Sequence, residues 1–231
     1  MRNSLAWLLL GGSLLLTGAA RSRAPVLVEL FTSEGCSSCP PADRLLAQLD
    51  SQVVVLGEHV DYWDHDGWRD QFDSPAFSER QEAYRRRFSL EAVYTPEMVV
   101  DGAVEFSGGD GGRAVREIAR AADQPKTAIR IRRSGASLEV EVDAAASSAG
   151  VFLALAEDSG ASHVSAGENK GRDLHHVAIA RSIRKIGSVK RGASFRATVK
   201  LPENAAAERV VVFIQEPDQG RVLGAAVLPP G

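Results

Sequence analysis

The 231-residue sequence holds two cysteines, and they stand three positions apart in Cys36-Ser37-Ser38-Cys39. A C-x-x-C pair can cycle between dithiol and disulfide, bind a soft metal, or stand as a permanent bridge. A bridge across two residues is a weak staple, because a disulfide stabilises chiefly by closing long loops. A structural zinc site needs four ligands, and no second C-x-x-C or histidine pair completes one. Redox chemistry is therefore the leading reading. A Cu(I) site using Met98 or His65 beside the two sulfurs is the alternative, since soft ligands select that ion. A third reading is an interaction protein whose disulfide is permanent and plays no catalytic part.

Thiol–disulfide exchange needs a thiolate, and a helix N-terminus lowers a cysteine's pKa through its free N–H groups and dipole. The flanking residues supply such a helix. Val26 to Phe31 is apolar except at Glu29, as in a strand buried on both faces, and Thr32 to Gly35 forms a turn. Pro40 and Pro41 suit a first helical turn, and Ala42, Leu45, Leu46 and Leu49 form one apolar stripe. Cys36, just before the helix, is expected to be the more exposed, attacking thiol. Cys39, one turn in, is expected to be shielded and to resolve the mixed disulfide. Glu29 is either a residue at the sheet rim or a buried carboxylate beneath the cysteines, acting as proton acceptor for the second thiol.

The elements that must position this pair follow in order. Val53 to Val60 reads as a second strand, joined to the first by a right-handed parallel crossover. Asp61 to Asp73 is a polar, aromatic loop, with Asp61, Tyr62, Trp63, His65 and Trp68 as candidates for the wall of a substrate groove; His59 reads as a core histidine. Ser74 caps a helix that begins with Pro75 and ends near Phe88, with Phe77, Tyr84 and Phe88 on one side. Glu97 to Val100, an Asp101-Gly102 turn and Ala103 to Phe106 read as a hairpin, and a last helix runs from about Gly112 to Ala122. The order is β-α-β-α-β-β-α over residues 25–124. From 125 to 231 the pattern changes to seven short strands separated by Gly, Ser, Asn and Pro, which predicts a small antiparallel β-sandwich. His175, His176 and Glu168-Asn169-Lys170 fall in that half, either as packing residues or as a loop reaching across to restrict access to the cysteines.

Residues 1–24 read as a signal peptide and short leader, with a basic start, an apolar run from Leu5 to Leu16, and small residues at Gly18-Ala19-Ala20. This predicts a periplasmic or secreted protein, in a compartment where disulfides persist. A net charge of −3 with 25% charged residues gives no reason to expect nucleic acid or, after signal cleavage, a membrane as partner. The expected partners are protein or small-molecule thiols and disulfides, and no cofactor beyond the redox-active Cys36–Cys39 pair is called for.

The C-x-x-C at a helix start, the element order and Thr95-Pro96 before the third strand together resemble the thioredoxin fold. The resemblance implies a cis-proline at Pro96 facing the cysteines, with exposed Pro96 and the Thr95 backbone holding a partner peptide as an added strand. Trp63 and Trp68 would flank that groove. Glu29 falls near the buried acid of thioredoxins, with one extra residue between it and the cysteines. The strings VELFTSEGCSSCPPAD, HVDYWDHDGW, SPAFSERQEAY, VYTPEMVVDG and GENKGRDLHHVAIAR resemble an uncharacterised thioredoxin-like family of bacterial secreted proteins, a domain of unknown function, over nearly the whole mature chain.

Overall fold

The computed structural model describes residues 25–203, 205 and 208–231; the leader expected over 1–24 lies outside them. Alternation along three adjacent strands organises the first half. β1 (Leu27–Thr32) pairs in parallel with β2 (Val54–His59) and antiparallel with β3 (Glu97–Val100). Successive side chains on a strand point to opposite faces. Val28 and Leu30 of β1, Val55 of β2, and Met98 and Val100 of β3 therefore share one face with α1 (Pro40–Leu49) and α3 (Gly111–Ala122). Leu27 and Phe31, Leu56, and Val99 turn to the other face, where Phe77 and Tyr84 of α2 (Pro75–Phe88) pack.

The local signals account for the element ends. The Ser74 hydroxyl accepts the Ala76 N–H at 3.3 Å, and Asp110 accepts the Arg113 N–H at 2.8 Å at the start of α3. Asp101 (φ 49°) and Gly102 (φ 59°) take left-handed backbone in the turn from β3 to β4 (Val104–Ser107), which the Ala103 N–H closes on the Val100 carbonyl at 3.0 Å. The order β-α-β-α-β-β-α thus runs from Leu27 to Ala122, with a single 3-10 turn at Asp61–Trp63.

The second half is organised differently from a free-standing sandwich. Its strands are β5 (Ile129–Ser134), β6 (Ser137–Val142), β7 (Ala149–His163), β8 (Asp173–Val189), β9 (Phe195–Lys200), β10 (Glu208–Gln215) and β11 (Val222–Leu228). Four of these extend the first sheet, giving the order β11-β10-β7-β8-β2-β1-β3-β4; only β5-β6-β9 form a separate sheet. The three-stranded sheet packs Leu138, Val140 and Val142 onto Val151, Leu153, Val210 and Val212 of the larger one. The boundary expected at 124/125 marks a change of strand pattern and not a break in the sheet. The physical reason lies at β2, whose outer edge would otherwise leave unpaired backbone groups in an apolar setting. β8 covers it in parallel at Gly57↔Ile179, and a Cβ on Gly57 would lie 3.2 Å from the Val177 carbonyl.

β7 and β8 are 15 and 17 residues long, far longer than the strands expected there. Their far ends project past β2 toward the start of α1. The loop between them, residues 164–172, arrives beside the cysteines.

Candidate functional site

Cys36 and Cys39 form a disulfide, with Cα atoms 5.4 Å apart. The turn that delivers them is bonded internally: Cys36 N–H donates to the Ser33 carbonyl at 3.2 Å, and Cys39 N–H to the Cys36 carbonyl at 3.1 Å. Cys39 is the cap of α1, and its carbonyl accepts from the amides of Ala42 (2.8 Å) and Asp43 (3.1 Å). Cys39 thus caps the N-terminus of α1, and Cys36 stands in the turn that leads into it. The Ser38 hydroxyl lies 3.2 Å from Cys36 Sγ and 3.5 Å from the Thr95 carbonyl. The Thr95–Pro96 peptide is cis. Trp63 closes the arrangement by donating its indole N–H to Thr95 Oγ1 at 2.7 Å.

Two expectations about exposure are corrected. Cys36, expected to be the open thiol, is 0% exposed, the same as Cys39, and Pro96 is buried. The covering groups explain this. Asn169, itself 0% exposed, donates its amide to the carbonyls of Glu34 (2.8 Å) and Cys36 (2.9 Å), and Glu168 accepts the Ser37 N–H at 3.0 Å. On the opposite side Gly35 lies so close to Trp63 that a Cβ there would meet its carbonyl at 2.8 Å. Of the two readings of Glu168-Asn169-Lys170, the structure favours the loop that reaches the cysteines.

Glu29 does not join the site. Its carboxylate lies on the α2 face, bound by Arg80 (Nε at 2.6 Å, Nη2 at 2.5 Å) and by the Tyr84 hydroxyl at 2.6 Å. α1 packs on the opposite face. With a side-chain period of two, the one extra residue between Glu29 and the cysteines turns the acid away from them. A proton acceptor beneath Cys39 is thus not Glu29.

The acids that do stand near the disulfide are Glu34 and Asp43. Asp43 accepts from Thr32 Oγ1 at 2.9 Å, and Glu34 from Trp68 Nε1 at 3.1 Å and from the Ser162 hydroxyl. His176 of β8, 3% exposed, lies between them, with Nε2 3.6 Å from Glu34 and Nδ1 3.7 Å from Asp43. Those separations exceed a hydrogen bond, so the attraction is ionic. Burial disfavours the imidazolium, but Asp43 and Glu34 outweigh it and push His176 up to about 9. His59 packs edge-on against His176 at 4.6 Å and bonds Asp70 at 2.7 Å. Asp70 in turn accepts the Glu34 N–H at 2.9 Å. Despite burial, His59 and these hydrogen bonds hold the Asp70 carboxyl below the usual range.

The aromatic loop divides. Trp63 and Trp68 stand at the site through Thr95 and Glu34, whereas the Tyr62 hydroxyl bonds Gln81 and Asp61 bonds Ser78. His65 is exposed, 5.5 Å from the Trp63 ring. Met98 is buried beneath β3 in the α1–α3 core. Among the described residues no group of three or more His, Cys, Asp or Glu side chains is arranged to hold a metal ion. Sequence reasoning missed Glu34, Asp43, Asp70 and Arg80. Asp43 has a legible signal, standing four residues after Cys39 and so on the same helical face. Asp70 and Arg80 have none, since their charged partners, His59 for Asp70 and Glu29 for Arg80, lie on other elements.

Fold and site together define an α/β protein with a closed C-x-x-C disulfide at the head of a helix. The chain belongs to the family described as "Protein of unknown function (DUF1223)", whose model matches residues 27–215. It is similar to the crystal structure of protein AGR_C_4864 from Agrobacterium tumefaciens at 27% identity, with a TM-score of 0.78 over 92% of this chain and 97% of that one. HBP35 of Porphyromonas gingivalis shares the fold at 14% identity and a TM-score of 0.65, over 89% of this chain and 75% of that one. No curated protein is found to match the chain.

Proposed function

We propose that this chain is an exported thiol–disulfide oxidoreductase on a thioredoxin-like scaffold, acting on extracytoplasmic thiols and disulfides. The observation that carries the reading is the position of the Cys36–Cys39 disulfide, at the N-terminus of α1 and, through Ser38, beside cis Thr95–Pro96. Export rests on the character of residues 1–24. No helix among the described residues is long and apolar enough to cross a membrane.

The exchange runs in two displacements. A partner thiolate attacks Cys36 Sγ, the Cys36–Cys39 bond breaks, and Cys39 leaves as a thiolate that takes up a proton. A second partner thiol then attacks the partner's own sulfur in the mixed disulfide and releases Cys36. The partner ends oxidised by two electrons and the pair ends as a dithiol; the reverse sequence reduces a partner disulfide. The positive end of the α1 dipole stabilises the thiolate that each step releases; Pro40 and Pro41 carry no N–H, and those of Ala42 and Asp43 bond the Cys39 carbonyl. Ser38, 3.2 Å from Cys36 Sγ, can donate a further hydrogen bond to it.

The test is redox titration of the mature chain in dithiol buffers, together with exchange against a disulfide-bonded protein substrate. Turnover that disappears in Cys36→Ala, with a midpoint well above about −300 mV, supports the reading. A midpoint below about −300 mV without exchange makes the bond structural and overturns it.

A further inference from the structure

Exchange chemistry leaves one contact unexplained. A surface carboxylate, Glu168, occupies the Ser37 amide next to Cys36, in the turn that leads into α1. We propose that the 164–172 loop is a redox-linked latch, in which Glu168 and Asn169 close the site and set the reduction potential of Cys36–Cys39. The proposal rests on the reading that this pair cycles.

The loop is built to act as one body. Val164 N–H donates to the Arg172 carbonyl (3.0 Å) and Gly171 N–H to the Val164 carbonyl (2.7 Å), which closes its neck. Lys170 N–H and Arg172 N–H bond back to the carbonyls of Gly167 and Asn169 at 3.2 and 3.1 Å. Gly167 (φ 71°) and Gly171 (φ 81°) take the left-handed turns this path requires. Arg172 donates to Asn169 Oδ1 at 2.9 Å, so the Asn169 amide is oriented before it meets the cysteine turn. Three hydrogen bonds then join the loop to Glu34, Cys36 and Ser37, all within the turn that carries the disulfide.

The two latch residues do different work. Asn169 is neutral and buried, and its two bonds hold the loop over Cys36. Glu168 is exposed and negative, and it takes the Ser37 N–H, the amide that directly follows Cys36 in the chain. When an external dithiol reduces the pair, it loses two electrons and closes to its own disulfide, and Cys36 becomes a thiolate beside Glu168. The like charges repel. The carboxylate thus disfavours the dithiol form and lowers the potential, and by reciprocity reduction weakens the hold of Glu168 on Ser37. An oxidised site is latched; a reduced one is released.

Two measurements on the full mature chain test this. The first compares midpoint potentials of wild type and Glu168→Gln in dithiol buffer. The amide can still accept the Ser37 N–H but carries no charge, and the equilibrium should shift about tenfold toward the dithiol, or ~30 mV upward. Because Glu168 is exposed, the difference should shrink at high salt. The second follows tryptic cleavage after Lys170, which is exposed. Wild type should be cut faster reduced than oxidised, and Asn169→Ala should be cut rapidly in both states. Equal potentials at low salt, or cleavage of wild type that ignores redox state, overturns the latch. The wild-type comparison needs no variant to fold. A shifted potential with redox-dependent cleavage but no exchange with protein disulfides retains the latch and removes the oxidoreductase reading. Active exchange without either effect removes the latch alone.

Discussion

Two buried polar clusters lie on opposite faces of the same strands, and they settle their surplus of carboxylates in different ways. On the α2 face, Glu29 and Glu58 face one arginine, Arg80, which also bonds Tyr84 and Gln215, while Glu97 accepts from Gln81. Burial, then the neighbouring Glu29, pushes the Glu58 carboxyl well above its ordinary value; burial also pushes Glu97 up to about 7. On the α1 face, Glu34 and Asp43 surround one histidine, and His176 carries the compensating charge. Arginine stays cationic at every accessible pH, whereas an imidazolium is lost near its pKa. The arginine cluster is thus a fixed joint between α2, β1 and β10. The histidine cluster, a few residues from the disulfide, answers to pH.

The sharpest way to break this contrast is to remove each cation. Arg80→Met should leave Glu29 buried without its partner and cost about 3–5 kcal/mol, read by urea unfolding. An unchanged midpoint would mean that Tyr84 and a retained proton suffice.

His176 gives the next largest effect, and this one depends on pH. Its folded pKa of about 9 exceeds the unfolded value of about 6.5, so the folded state binds the proton more tightly. The stabilisation is complete below about pH 6.5, falls as pH rises, and is gone above about pH 9, a change of roughly 3 kcal/mol at most. Wild-type stability should therefore decline across that window. His176→Gln should flatten the decline, whereas Arg80→Met should leave it in place. A profile that stays the same in His176→Gln assigns the titration elsewhere.

Tyr84→Phe removes the hydroxyl that donates to Glu29 and accepts from Gln215, and should cost about 1–3 kcal/mol without altering the pH profile. The smallest effect should be at the rim. Thr95→Val removes the acceptor of the Trp63 indole N–H and should cost about 1 kcal/mol, with a change in tryptophan fluorescence. A loss as large as that of Arg80→Met would make the rim a structural joint as well.

How much was legible depended on how local the signal was. The helix begun by Ser74-Pro75, the turn at Asp101-Gly102 and the stripe on α1 are written within a few residues, and each element stands where its pattern predicts. Long-range partners left no such trace. The apolar runs of β7 and β10 identify them as strands but are silent about whether they close a separate sandwich or extend β2. The same holds for exposure. A cysteine before a helix reads as open, and only the arrival of Asn169, 133 positions later, closes it.

The sequence by itself determined the disulfide pair, the helix that follows it, the proline beside it and the order of elements through Ala122, because each depends on neighbours or on a short period. Only the tertiary structure decided that Glu29 faces away from the cysteines while His176 lies near them, and that the 164–172 loop bonds the turn that carries Cys36. The reason is physical. Burial and ion pairing depend on which strands share a sheet and which face each residue takes, and a one-residue offset reverses the face.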